Sequence, residues 1–123
     1  MFGCPDKEEE PNYFLAIINN SDKDLLFQMD KLFPDTTLWL NNPFTTYNIN
    51  DFTIKAGSEK KFGFWEEQFQ KMDDDQKFRL FIFDKQVIES TSWESVANEY
   101  LILRRYEFNF EDLINIDWEI KYP

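Results

Sequence analysis

The sequence predicts a mostly β domain, an antiparallel β-sandwich of about seven strands with two or three short helices in its connections. Short apolar runs recur between turn-forming residues, and one run, Phe78–Phe83, is apolar at five of its six positions. Segments with helical spacing are too short to be stable alone in water, so they must pack against a sheet. The alternative fold is an α+β domain, with a single sheet and helices on one face.

The N-terminal part of the domain favours strands. Tyr13–Ile18 is a continuous apolar run that stops at Asn19–Asp22, whose polar side chains favour turns. Leu25, Phe27 and Met29 then alternate on one face of an extended segment. A run, a turn and a second run predict a β-hairpin.

The next stretch mixes irregular and extended structure. Pro43 argues against a central strand in Trp39–Phe44, because proline cannot donate a hydrogen bond to a sheet. Ala56–Glu59 predicts a turn. After it, Phe62 and Phe64 share one face of an extended segment.

Residues 65–83 predict a short helix followed by a central strand. Trp65, Phe69 and Met72 stand at i, i+4 and i+7, which places them on one helical stripe. Asp73–Asp75 then favours a solvated turn over a Ca²⁺ site, because the spacing of an EF-hand loop is absent. Phe78–Phe83 fits a strand that is covered on both faces.

Two further helices and two strands are expected after residue 90. Thr91 stands three residues before Glu94, a capping-box spacing, at the start of a stripe formed by residues 93, 96, 97 and 100. Asn109 is the expected N-cap of a helix with apolar residues at 110, 113 and 114. Extended segments follow these helices at Tyr100–Phe108 and Trp118–Tyr122.

Composition excludes several functional classes. The chain has 123 residues and a net charge of −11, so we expect no nucleic-acid partner. It contains no histidine, which removes Ser-His-Asp and Cys-His catalysis and histidine-ligated zinc. Its three glycines are too few for a phosphate-binding loop. We therefore expect no cofactor, no metal site and no enzymatic activity.

Residues 1–12 predict a flexible acidic leader, and residues 13–123 a single β-rich domain. In the leader, Pro5 and Pro11 flank the charged run Asp6–Glu10, which has no apolar surface to bury. Cys4 is the only cysteine, so an intrachain disulfide is excluded.

Two regions of the domain resemble a known family. One combines Asn19–Asp22 with Phe33–Leu38, and the other runs from Phe81–Asp84 through Ser92–Glu94, Glu99–Tyr100 and Ile102–Tyr106 to Glu111–Leu113 and Asp117–Pro123. Together they resemble a family of small lipoproteins of Bacteroidetes-type bacteria that has no established activity. The resemblance covers most of residues 13–123.

The resemblance implies that Cys4 is the lipidated first residue of the mature chain. Gly3 is the small residue that usually precedes such a cysteine, and the acidic run after it is similar to a surface-export signal of that group. Phe2 is larger than usual for its place, and only Met1–Gly3 stand where an apolar signal segment is expected. The expected location is the cell envelope, as a surface-exposed outer-membrane lipoprotein that meets the membrane only through its lipid anchor.

These features favour a non-catalytic, surface-tethered binding module whose partner is a protein or a glycan. Flat indole rings pack well against the apolar faces of sugars. Trp65, Trp93 and Trp118 fall on stripes that core packing explains. Trp39, in an irregular region, is therefore the candidate ligand-binding residue.

Two alternative functions remain open from the sequence. The first is a structural or assembly subunit of an envelope complex, which would expose an apolar patch or an open sheet edge. The second, less favoured, is a carboxylate-dependent glycoside hydrolase, which needs two acids at a defined separation. Its nominated acids are Glu66, Glu67, Asp84, Glu89, Glu94 and Glu99.

Overall fold

The computed structural model describes residues 10–31, 35–45, 49–73 and 75–123, and within them it confirms a mostly β fold. The strands are β1 (Tyr13–Asn19), β2 (Leu25–Asp30), β3 (Thr53–Ile54), β4 (Glu59–Phe64), β5 (Phe78–Asp84), β6 (Arg104–Phe108) and β7 (Glu119–Tyr122). The α-helices are α1 (Glu66–Gln70), α2 (Lys85–Ser90), α3 (Trp93–Glu99) and α4 (Phe110–Asn115), and a 3-10 helix spans Ile49–Phe52. Two or three short helices were predicted, whereas the described residues form four α-helices. The additional helix is α2, which no pattern in the sequence indicated.

The strands form two sheets. The three-stranded sheet has the order β4-β1-β7, and the four-stranded sheet has the order β3-β2-β5-β6. Neighbouring strands are antiparallel except for β1 and β7, which run parallel. This arrangement is the predicted β-sandwich.

A hydrophobic core fills the space between the sheets. Leu15 and Ile17 of β1 meet Phe27 of β2 and Leu80 and Ile82 of β5, and all five are buried. Each such side chain contributes roughly 1.5–3 kcal/mol by leaving water. Aromatic rings close one end of this core, where Tyr13 stacks on Trp118 with ring centroids 4.9 Å apart.

A second hydrophobic layer covers the outer face of the four-stranded sheet. Leu26, Phe81 and Phe83 point to this side and are buried there with side chains of α2 and α3. Residues 35–45, which we call the strap, complete the cover without forming a helix or a strand. Strand β5 is therefore covered on both faces, as its apolar run predicts.

The predicted hairpin of the first two strands is wrong, because β1 and β2 belong to different sheets. Asn19 is fully buried where the chain crosses between them. Its Nδ2 donates to the carbonyls of Lys23 and Ile54 at 2.8 and 2.9 Å. Its Oδ1 accepts from the backbone N–H of Ser21 at 2.9 Å. This Asx turn redirects the chain into the second sheet instead of folding it back beside β1.

The helix caps follow local polar chemistry. Asn109 is the N-cap of α4 as predicted, and its side chain accepts from the N–H of Asp112 in a capping box. The prediction of Thr91 as a cap is wrong: Ser92 caps α3 by accepting from the N–H of Ser95. In the parts of the chain that the structure describes, no helix is long and apolar enough to cross a membrane.

The buried amide of Asn19 should be the most sensitive point of the crossing between the sheets. We expect Asn19→Ala to lower the free energy of unfolding by about 2 kcal/mol, because it leaves buried backbone groups without partners. Urea denaturation measures this. The matched control is Asn20→Ala, whose side chain is exposed. Equal losses for the two variants would contradict this role of Asn19.

Candidate functional site

Arg79 anchors the strap to the four-stranded sheet. It is the one charged residue inside the apolar run of β5, and it is only 1% exposed. Its Nε donates to Oδ1 of Asp30 at 2.7 Å, and its Nη2 donates to Oδ2 at 2.5 Å. Its Nη1 donates to the strap carbonyls of Asp35 and, at 3.0 Å, Thr37. One guanidinium therefore joins β2, β5 and the strap.

The planar shape of the guanidinium suits this position. Its Cζ lies 4.9 Å from the centroid of the Phe81 ring and 5.7 Å from that of the Trp39 ring. Lysine could neither pair with a carboxylate in bidentate fashion nor stack in this way. The hydrogen bond to Asp30 raises the pKa of Arg79 above its ordinary value. The sequence showed a lone arginine in an apolar run, but gave no sign of its partners.

A second set of contacts fixes the start of the strap. The hydroxyl of Tyr100 donates to the carbonyl of Thr36 at 2.8 Å and accepts from Nη1 of Arg105 at 2.9 Å. Within the strap, Oδ1 of Asp35 accepts from the hydroxyl and the N–H of Thr37 at 2.6 and 2.8 Å. These two hydrogen bonds lower the pKa of Asp35. The strap is thus held both by the sheet and by its own turn.

Trp39 and Trp93 meet where the strap crosses α3. Nε1 of Trp93 donates to the backbone carbonyl of Trp39 at 2.8 Å. The Trp39 ring contacts Phe81 edge-on, with centroids 5.4 Å apart. The Trp93 ring packs against Phe83 and Phe44, at 5.9 and 6.4 Å between centroids. Both indoles are only half-buried, so each contributes to the layer beneath and to the surface above.

These indoles wall a surface groove of about 320 Å³. Its lining is Leu38, Trp39, Leu40, Trp93, Glu94, Ala97 and Asn98. Leu40 is 93% exposed, and Glu94 and Asn98 present a carboxylate and a carboxamide on exposed positions of α3. We call this site the Trp39 groove. Apolar walls with a few polar groups are the usual composition of a small-ligand site, and its volume lies at the lower end of the range of about 300–1,000 Å³.

The Trp39 groove contains the residue that the sequence singled out and one that it assigned to the core. Trp39 lies in it as the candidate ligand-binding residue, and its binding role stays a prediction. Trp93 lies on the predicted core stripe of α3, yet it also faces the groove. Helical periodicity predicted that Trp93 packs in the core. It could not predict that Trp93 also lines the groove, because the strap that creates the groove has no periodic pattern.

The other predicted site features lie elsewhere. Cys4 falls outside the described residues, so the predicted leader and lipid attachment stay predictions. Asp73 and Asp75 are exposed, and Asp74 is not described. Among the described residues no three potential metal ligands cluster.

The six nominated carboxylates do not meet in one cavity. Glu66 and Glu67 lie in the first turn of α1, Asp84 and Glu89 line a polar cavity beside α2, Glu94 lines the Trp39 groove and Glu99 ends α3. Lys23 lies 3.5 Å from Asp84, and Lys85 lies 2.8 Å from Glu89. Of the six, only Asp84 and Glu89 therefore share a cavity, and each of them lies within 4 Å of a lysine.

Comparison of the sequence with protein-family models and with curated proteins, and of the fold with solved structures, finds no match.

Arg79 should contribute more to stability than any exposed arginine. We expect Arg79→Met to lower the free energy of unfolding by about 3 kcal/mol, since it leaves Asp30 without its bidentate partner in a largely buried place. Chemical denaturation measures the loss. Arg104→Met is the control, because Arg104 is exposed at the edge of the sheet and should cost under about 1 kcal/mol. A similar small loss for both variants would show that the strap does not depend on Arg79.

Proposed function

We propose that this chain is a non-catalytic binding module of the bacterial cell envelope, tethered by a lipid on Cys4, and that the Trp39 groove binds a carbohydrate. The observation that carries the proposal is the pair of half-buried indoles flanked by Glu94 and Asn98. No cofactor, metal or nucleic acid takes part in it.

The chemistry of the groove matches that of a sugar. An indole offers a flat apolar face to the C–H groups of a pyranose. The Glu94 carboxylate can accept hydrogen bonds from hydroxyls, and the Asn98 carboxamide can both donate and accept. Leu40, which is 93% exposed, adds apolar surface at the edge of the groove that a ligand can cover. These groups together recognise a surface that alternates between apolar C–H faces and hydroxyls.

The strap presents these groups in a fixed geometry. Arg79 and Tyr100 hold the carbonyls of residues 35–37, and Trp93 holds the carbonyl of Trp39. A site that is ordered before binding loses less conformational entropy when the ligand arrives. The network beneath the groove therefore supports binding without touching the ligand.

The place where the leader joins the domain supports a tethered role. Asn12 donates its N–H to the carbonyl of Phe64 at 2.9 Å, and its Oδ1 accepts from the N–H of Glu66 at 2.7 Å. Residue 12 is thus fixed beside β4 of the three-stranded sheet, whereas the Trp39 groove lies on the outer side of the four-stranded sheet. The point where the leader enters the domain is therefore on the sheet opposite the groove, as a tether that leaves the groove accessible would require.

A second candidate function is an assembly subunit of an envelope complex. It is favoured by exposed apolar side chains away from the groove, namely Phe14 at 55%, Ile114 at 49% and Ile116 at 42%. A glycoside hydrolase is supported less, because the nominated acids are distributed over several surfaces.

Carbohydrate binding should depend on Trp39. A glycan array identifies a binding sugar, and calorimetry then measures its Kd for each variant. We expect Trp39→Ala to weaken binding at least about tenfold, as the loss of a central aromatic contact usually does. Leu40→Ser should weaken binding without lowering the melting temperature, because this side chain is 93% exposed.

Ile114→Ser is the matched control for Leu40→Ser, since Ile114 is also exposed but lies on α4. It should leave the Kd unchanged. Absence of binding to any glycan, or equal affinity for the wild type and both groove variants, would reject the carbohydrate site.

The tether has its own test. Mass spectrometry of the protein purified from membranes of its natural host should find a lipid-modified mature N-terminus at Cys4. Cys4→Ser should lack the lipid and leave the membrane fraction, since the lipid is the proposed attachment. An unmodified Cys4 in the natural protein would reject the tether while leaving the groove proposal standing.

A further inference from the structure

Within the described residues, no helix or strap covers the outer face of the three-stranded sheet, unlike that of its partner sheet; Pro11 packs on it at one end, against Gly63. Leu15, Ile17 and Asn19 of β1 are buried, so the alternate residues of this central strand point outward. Phe14 is 55% exposed, and Ala16 and Ile18 are partly exposed. Together they form an apolar stripe along the middle of the face.

Four charged residues flank this stripe in an alternating pattern. Beside Ala16 stand Lys61 on β4 and Glu119 on β7. Beside Ile18 stand Glu59 on β4 and Lys121 on β7. Residues paired in register point to the same face, so the four charges form a square with like charges on its diagonals. We call this surface the charge square.

The four charges of the square, on Glu59, Lys61, Glu119 and Lys121, lie in water, and the described part of the chain gives none of them an ion-pair partner. The two edge strands are separated by β1, which places them about 9.6 Å apart, too far for direct contact across the stripe. The square has no net charge, whereas the chain as a whole carries −11.

We propose that the charge square and its apolar stripe bind a second copy of this chain. In a dimer whose two-fold axis runs along β1, Lys61 of each copy faces Glu119 of the other, and Glu59 faces Lys121. If the two-fold axis instead lies in the plane of the interface and runs across the strands, Lys61 of each copy faces Glu59 of the other, and Glu119 faces Lys121. Both arrangements place opposite charges together at all four corners, which is the self-complementarity that a symmetric dimer requires.

The alternating charges favour a second copy of this chain over a uniformly acidic or basic partner. A partner of uniform charge would meet a like charge at two corners of the square, so neither an acidic nor a basic surface fits it. A chain with a net charge of −11 repels its own copy, and this face, whose four charges sum to zero, adds nothing to that repulsion. A face of three strands is small, so the dimer should be weak and sensitive to salt.

An axis along β1 has a further consequence for the arrangement of the two copies. About such an axis, Asn12 and Phe14 lie at the same end of both copies, so the two chains enter their domains side by side. Two anchored copies could then share one membrane. The two Trp39 grooves lie on the far sides of the pair, because each groove is on the opposite layer of its own sandwich.

Analytical ultracentrifugation of the full chain tests the proposal. The wild type should show a monomer–dimer equilibrium at micromolar to millimolar concentrations, shifted toward monomer by high salt. Lys61→Glu with Lys121→Glu makes the square uniformly acidic, and Glu59→Lys with Glu119→Lys makes it uniformly basic. Each double variant alone should have a dimer Kd raised at least about tenfold. An equimolar mixture of the two should form a heterodimer.

Two controls show whether a loss of dimerisation comes from this face and not from the change in net charge or from unfolding. Exchanging all four charges restores the alternating pattern and should restore the dimer. Lys55→Glu with Lys71→Glu changes the net charge by the same amount as the acidic variant but alters exposed lysines outside the square, and it should still dimerise. Circular dichroism should show equal folding for all variants, because every changed side chain is exposed.

A wild type that stays monomeric at millimolar concentration would overturn the proposal. So would double variants that dimerise as well as the wild type, or a mixture that forms no heterodimer. These outcomes leave the carbohydrate site untouched, because the grooves lie on the other sheet.

Discussion

The structure depends on satisfying one buried guanidinium in its central strand. Burying a charge costs several kcal/mol unless it is paired and hydrogen-bonded on all sides. Arg79 is 1% exposed in a strand that is otherwise apolar, so β2 must supply the Asp30 carboxylate and the strap must supply two carbonyls. Asp30 neutralises the charge, and the strap supplies the carbonyls that the remaining N–H groups of Arg79 need, which fixes the strap over this strand. The path of the strap then determines where Trp39 and Leu40 reach the surface.

The two sheets differ because only one of them carries such a layer. The outer side of the four-stranded sheet is covered by the strap and by α2 and α3, and the Trp39 groove lies where the strap meets α3. The outer side of the three-stranded sheet keeps its charges and Phe14 in water. One sandwich thus has a built, indole-walled site on one side and an open, self-complementary face on the other. We propose that ligand binding belongs to the first side and self-association to the second.

Local patterns in the sequence predicted the elements better than the connections between them. Continuous apolar runs and alternation indicated most of the strands, and the run Phe78–Phe83 correctly indicated a strand covered on both faces. The predicted hairpin of β1 and β2 was wrong, because the turn residues at Asn19 do not determine whether the chain returns to the same sheet or crosses to the other one. Arg79 was visible in the sequence, but Asp30 lies 49 residues away, so their pairing could not be inferred. Trp39 was singled out because its region is irregular, whereas the groove around it exists only once the strap is in place.

The most direct test of this account is the exchange rate of the Trp93 indole N–H, followed by nuclear magnetic resonance in the wild type and in Arg79→Lys. The indole hydrogen bond to the Trp39 carbonyl is 2.8 Å long and reports the position of the strap on α3. If Arg79 holds the strap, this N–H is protected in the wild type and loses its protection in Arg79→Lys, while the amides that join β1 to β4 stay protected. Unchanged protection of the Trp93 indole in Arg79→Lys would contradict the central role of the buried guanidinium.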